Sequence, residues 1–280
     1  MAARGVAGTY PARAGIAALT VVLLIAAAPA VAWGPAMHAY VVARVLGPEA
    51  LEAVFGATLP DFNGAARLRP TVDAAIKRLT HYEFERLAPS SFATGFATHN
   101  GVWGADHYAH HYPNDVDATY YATRKIKALS ARTGLSLNLA EDVFEAAMDM
   151  RVGLECGPEL GRLIRDAARS VGPKEEQAIV DAFAAPLAER VPELSAEDAE
   201  SALRWAFRAH KALMQAFAVQ LMQDREYMLR LGAPLLARHL ECDAAAARKH
   251  LEAALELCAD WREEMDRMAE KVGAALRAEA

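Results

Sequence analysis

Val, Ile and Thr rarely cluster anywhere in this chain, and that scarcity of strand signals does most to limit its fold. Through the second half Ala, Leu, Glu and Arg dominate at helical spacing. Together these features predict an all-α protein. Several helix ends are legible: Asn138 stands before the apolar-periodic run 139–152, Pro173 fits a first helical residue, and Ser195 has Asp198 three residues on. Gly134 and Gly232 occupy places where C-caps belong. Two long helices, roughly 196–231 and 244–277, are predicted to fill the last third.

The start of the chain reads differently. Arg4 and Arg13 give a basic opening, residues 14–28 are continuously apolar, and Pro29 precedes Ala30-Val31-Ala32. This is the pattern of a secretory signal peptide over 1–32 with an A-x-A cleavage site, since a bilayer-spanning anchor needs about 20 apolar residues. Residues 33–280 then form one domain, and the protein is expected outside the cytoplasm, secreted or periplasmic. Loss of two arginines moves the formal charge from −6 to −8. That balance argues against a surface for duplex nucleic acid. Cys156, Cys242 and Cys258 allow at most one internal disulfide.

Chemistry concentrates between 33 and 115, where six of the nine histidines lie: His38, His81, His99, His107, His110 and His111. His210, His239 and His250 stand singly on later helices and read as exposed or locally paired. The densest patch is "THNGVWGADHYAHH", 98–111. On one unbroken helix His99, Asp106 and His110 would share a face, the mixed nitrogen and oxygen donor set that zinc accepts. Gly101 and Gly104 weigh against such a helix, and His107 with His111 forms a second pair that would simply face water. Asp61 follows Pro60 in "GATLPDFN", the setting of a turn residue, and His81 lies in "RLTHYEFE". Glu141, Glu145 and Asp149 recur every fourth residue as an acidic stripe, either a solvated face or a row with one acid turned inward at a metal.

From Trp33 to about residue 152 the motifs resemble those of the zinc-dependent phospholipases C of bacteria, which share fold and three-zinc site with the fungal single-strand-specific zinc nucleases. The most specific element is Trp33-Gly34-Pro35-Ala36-Met37-His38, matching an opening W-G-x-x-x-H. The resemblance implies a single multi-helix domain of the phospholipase C and zinc nuclease type. It also implies that cleavage frees the amino group of Trp33 to chelate one zinc, with its own carbonyl and His38. Asp61 matches the acid of G-x-x-x-P-D, and His81, His99 and Asp106 match the histidine, histidine and acid that follow. Asp106 would be shared between the terminal zinc and the paired site. His110 would begin the third site, with His111 nearly as good a match. The chain departs from the pattern in two places. Six residues separate His99 from Asp106 where three are usual, and in Glu141-Asp142-Val143-Phe144-Glu145 the acid is matched by Glu145 while Glu141 stands where histidine is expected. A carboxylate there keeps a ligand but hardens the site.

The implied function is that of an exported phosphoric-ester hydrolase holding two or three zinc ions, phospholipase C-like, acting on a phospholipid or other phosphodiester with transient contact to a membrane surface. Zinc would act as Lewis acid and water activator, with Asp61 orienting or deprotonating the water. Two alternatives stand beside it. A single-strand nuclease would use Tyr108, Tyr112, Tyr120 and Tyr121 as stacking platforms, and a zinc-binding protein of little catalysis would follow if Glu141 spoils the third site.

Overall fold

The computed structural model describes residues 34–62, 66, 68–110 and 121–279, the side chain of His110 excepted. Every regular element among them is helical. In chain order they are α1 (Pro35–Leu46), α2 (Leu51–Thr58), a 3₁₀ turn (Leu59–Asp61), α3 (Pro70–Tyr82), a second 3₁₀ turn (Phe84–Arg86), α4 (Ser91–Ala97), α5 (Ala105–His110), α6 (Tyr121–Thr133) and α7 (Leu137–Cys156). There follow α8 (Pro158–Ser170), α9 (Pro173–Arg190), α10 (Ala196–Leu221), α11 (Arg225–His239), α12 (Ala244–Leu257) and α13 (Trp261–Glu279).

Local capping chemistry sets many of these boundaries. The side chains of Ser136, Ser195, Asp224 and Asp243 each accept the N–H of the third residue onward, satisfying a donor that the first helical turn leaves open. Pro173 opens α9 as expected, and Gly134, with φ +76°, terminates α6. Three expectations need correction. The cap of α7 is Ser136 rather than Asn138. The two long C-terminal helices are four, because Asp224 starts a new helix after the break at 222–224 and another break falls at 258–260. Gly232 lies in the middle of α11 and ends nothing.

One hydrophobic cluster runs from Ala36 in α1 to Val272 in α13. Through it α7 passes as a central helix, touched by α1, α6, α8, α10, α11, α12 and α13. α2 and α4 cross so closely that a Cβ on Gly95 would lie 2.0 Å from the carbonyl oxygen of Ala53, and one on Gly56 2.3 Å from that of Phe92. Only hydrogen atoms fit there. α13 closes over α1 through the edge-on contact of Trp261 with Tyr40, whose hydroxyl donates to Asp266 at 2.8 Å. Cys156, Cys242 and Cys258 are free thiols. Among the described residues no helix is long and apolar enough to cross a membrane; the segment read as a signal peptide, and Trp33, lie outside them.

Candidate metal centre

Five elements of the N-terminal half bring their polar side chains to one buried point. His38 comes from α1, Asp61 from the 3₁₀ turn after α2, His81 from the last turn of α3, His99 from the turn after α4, and Asp106 from α5. The donor atoms of His81, His99 and Asp106 lie within 4.8 Å of one another, as do those of His38, Asp61 and His99. His38, His81 and His99 are all at most 3 % exposed. His38 stacks on His99 with ring centroids 3.9 Å apart, and His81 meets the same ring edge-on.

The main chain fixes how these rings present themselves. Nδ1 of His99 lies 2.9 Å from the carbonyl oxygen of Ala57, and Nδ1 of His81 lies 2.9 Å from that of Lys77. A carbonyl only accepts, so in each ring Nδ1 carries a proton, and in the neutral ring Nε2 presents its lone pair. Thr80 ties this arrangement to the turn bearing Asp61, its hydroxyl lying 2.9 Å from the carbonyl oxygen of Pro60 and 3.0 Å from Nδ1 of His81. Ligating histidines are commonly held in this way, with the distal nitrogen bonded to a carbonyl.

At the centre, Nε2 of His81 is 3.4 Å from Oδ1 of Asp61, and Nε2 of His99 is 3.4 Å from Oδ2. Both Nε2 atoms and Oδ1 of Asp106 are buried with no hydrogen-bond partner. Three orphaned acceptor-type atoms at one point are costly unless a cation completes them. The separation suits one: ligands about 2.1 Å from a tetrahedral zinc stand about 3.4 Å apart. The residues therefore fit a zinc ion.

Burial favours the neutral acid at Asp61, yet His99 and His81 hold its carboxyl well below the usual range. Burial and the neighbouring His38 keep His99 neutral. His81 is raised: burial opposes its charge, but Asp61 outweighs burial. Lys77, one turn before His81 and unremarked in the sequence, is raised as well. Burial would lower it, and Asp61, Asp106, Glu145 and Glu141 together prevail. It brings positive charge into the field of those four carboxylates.

The 98–111 stretch converges for a reason other than the one expected. It is not one helix. Residues 98–104 form turns held by Asn100, whose Oδ1 accepts the N–H groups of Val102, Trp103 and Gly104 at 2.7, 2.8 and 3.2 Å. The N–H of Asp106 then donates to the carbonyl of His99 at 2.9 Å, which brings the two candidate ligands together across the unusual spacing. The signal for this turn is in the sequence, where Asn100 precedes Gly101.

The third site is less complete among the described residues. Glu145 is buried and Glu141 half-buried, so the acidic stripe is not a solvated face, but neither joins a converging group of donors. The side chain of His110, all of His111, and the Trp33 ligand lie outside the described residues. Asp149, the last acid of the stripe, is 6 % exposed and accepts the N–H groups of Ala36 at 3.0 Å and Met37 at 3.3 Å, capping α1 just ahead of His38. Burial pushes its carboxyl up to about 8 against the pull of those two bonds.

Beside the centre opens a cavity of about 250 Å³ that reaches from His38 and Asp61 to α10, α11 and α12. His210 lines it. Far from being exposed, this histidine is 2 % accessible, lies 3.1 Å from the Thr58 hydroxyl, and is depressed by burial to about 4. His239 pairs with Asp142 at 2.6 Å, linking α11 to α7. Of the tyrosines named as stacking platforms, Tyr121 is buried and donates to Asp260, Tyr108 is half-buried beside Lys271, and Tyr112 and Tyr120 lie outside the described residues. No known family, curated protein or solved structure matches this chain.

Proposed function

We propose that the protein is a zinc-dependent phosphoric-ester hydrolase of the phospholipase C type, exported and processed before Trp33. One observation carries the reading: the Nε2 atoms of His81 and His99, buried and without a hydrogen bond, face the Asp61 carboxylate, and a buried Asp106 oxygen, likewise without a hydrogen bond, converges on the same two imidazoles. His38, Asp61, His81, His99 and Asp106 would hold the metal, and bound zinc would supply Lewis-acid polarisation of a phosphoryl oxygen together with acidified water. The chain's own groups do the positioning. Asp61 stays ionised and orients a water by accepting its hydrogen bond. Lys77 contributes positive charge beside the carboxylates, which an anionic ester requires. The buried rim excludes bulk water and strengthens each of these interactions.

The apolar cavity next to the centre favours a lipid ester over a single strand of nucleic acid, and Tyr121 offers no stacking face. The test is metal analysis of the processed protein, followed by hydrolysis of bis(p-nitrophenyl) phosphate, a phosphatidylcholine emulsion and denatured DNA. Zinc with turnover of the emulsion is expected. Zinc without turnover on any ester would leave a binding protein, and preference for DNA would leave a nuclease. Asp106→Asn should lose at least one zinc ion and most activity. Asp181→Asn, on the exposed face of α9, should lose neither.

A further inference from the structure

We infer that the cavity beside the metal centre is a binding site for a single aliphatic chain, and that the substrate is an amphiphile whose tail enters the fold while its phosphoryl head stays at the metals. The inference rests on the hydrolase reading for the head but on independent observations for the tail.

The cavity wall is mixed but mainly apolar. His38, Asp61, Glu145, Asp149 and His210 line it beside the metal centre, and the paired Asp142 and His239 line it as well. Leu213, Met214, Phe217, Leu235, Leu251 and the backbone of Gly232 supply apolar surface. Apolar cavities of about 150 Å³ stay dry and take up apolar molecules, and pockets for small ligands run from roughly 300 Å³ upward. At about 250 Å³ this one suits one narrow chain, not two side by side. Polar groups beside the metal centre and apolar side chains from α10, α11 and α12 suit a molecule that is polar at one end and aliphatic at the other.

Gly232 adds a second observation. It lies inside α11, two residues before Pro234, where glycine is the least favoured residue after proline, and its φ is not in the left-handed region that would require glycine. A Cβ there would meet only Leu251, at an ordinary 3.7 Å. No clash demands glycine at this position. What a longer side chain would do is occupy the apolar end of the cavity beside Leu251. The helix thus carries glycine, two residues before Pro234, where bulk would close the space.

The test uses purified protein and the fluorescent apolar probe N-phenyl-1-naphthylamine, displaced by n-alkyl phosphates from ethyl to dodecyl. Displacement should tighten roughly fourfold per added methylene until the cavity is full, then level off. Gly232→Leu, which gains helix propensity, should weaken octyl phosphate binding at least tenfold while hydrolysis of bis(p-nitrophenyl) phosphate is unchanged. Gly232→Ala, checked by circular dichroism alongside, should fall between. A displacement constant independent of chain length, or Gly232→Leu binding octyl phosphate as the parent does, overturns the inference. Chain-length dependence in protein stripped of zinc, together with no ester hydrolysis in loaded protein, would retain the tail site and remove the hydrolase reading.

Discussion

Asp149 shows how one side chain can change role when the fold is known. From sequence it ends an acidic stripe; in the structure it is buried beside the cavity, holding the first turn of the helix that delivers His38. Burial makes its charged form unfavourable, so its folded-state pKa of about 8 lies above the unfolded value near 3.8. A raised folded pKa means that the native state binds the proton more tightly. The stabilisation is fully present below about pH 4 and is lost as pH rises through 8. Asn keeps an acceptor for both N–H groups and has no charge to develop. Asp149→Asn should therefore gain on the parent by about 1 kcal/mol per pH unit between pH 5 and 8. Urea unfolding of both proteins at pH 5, 6.5 and 8 measures this, and parallel curves would show that the carboxyl titrates normally. The stripe's inward turn was legible only as an alternative, because a four-residue period gives a face without saying what lies opposite.

At the level of elements, the tight crossing of α2 and α4 does for the site what no ligand does alone. The end of α2 supplies the Ala57 carbonyl that orients His99, and α4 runs directly into His99. Gly95→Ala places a methyl group against the Ala53 backbone, so the helices must separate. Overpacking of this kind costs about 1–3 kcal/mol. Both denaturation midpoint and zinc content should fall, and a variant with a lowered midpoint but full zinc would show that the crossing does not set the site. Helical character and several caps were readable in the sequence, since Ser195 and Pro173 act locally. The breaks at 222–224 and 258–260 were not read, because no Pro or Gly marks them and Asp224 sits among helix formers. Gly232 misled for the opposite reason. It is a local stop signal overridden by tertiary structure, and its side-chain-free face opens on the cavity. The same holds for 98–110, where face-sharing on a helix was the wrong geometry and Asn100 supplied the right proximity.

Across the whole molecule, the candidate ligands divide unevenly. His38, Asp61, His81, His99 and Asp106 come from five elements between α1 and α5, several of them short, whereas no described residue of α8 to α12 joins either group of candidate donors. A metal bound at that point would cross-link the N-terminal half, and removing it would leave converging carboxylates and bare imidazole nitrogens buried together. Zinc present at about 1,000 times its dissociation constant contributes about 4 kcal/mol to the folded state. For a chain of this size that corresponds to about 8–16 °C in melting temperature. Dialysis against a chelator should lower the midpoint by that amount, and added zinc should restore it with a dependence on zinc concentration. Limited proteolysis locates the effect: in stripped protein cleavage should begin within 34–110, with α8 to α12 protected. His99→Ala should start from the lower midpoint and respond little to either treatment. A parent protein indifferent to chelator and to added zinc would remove the metal from the centre, and with it the explanation for three buried polar atoms that have no other partner.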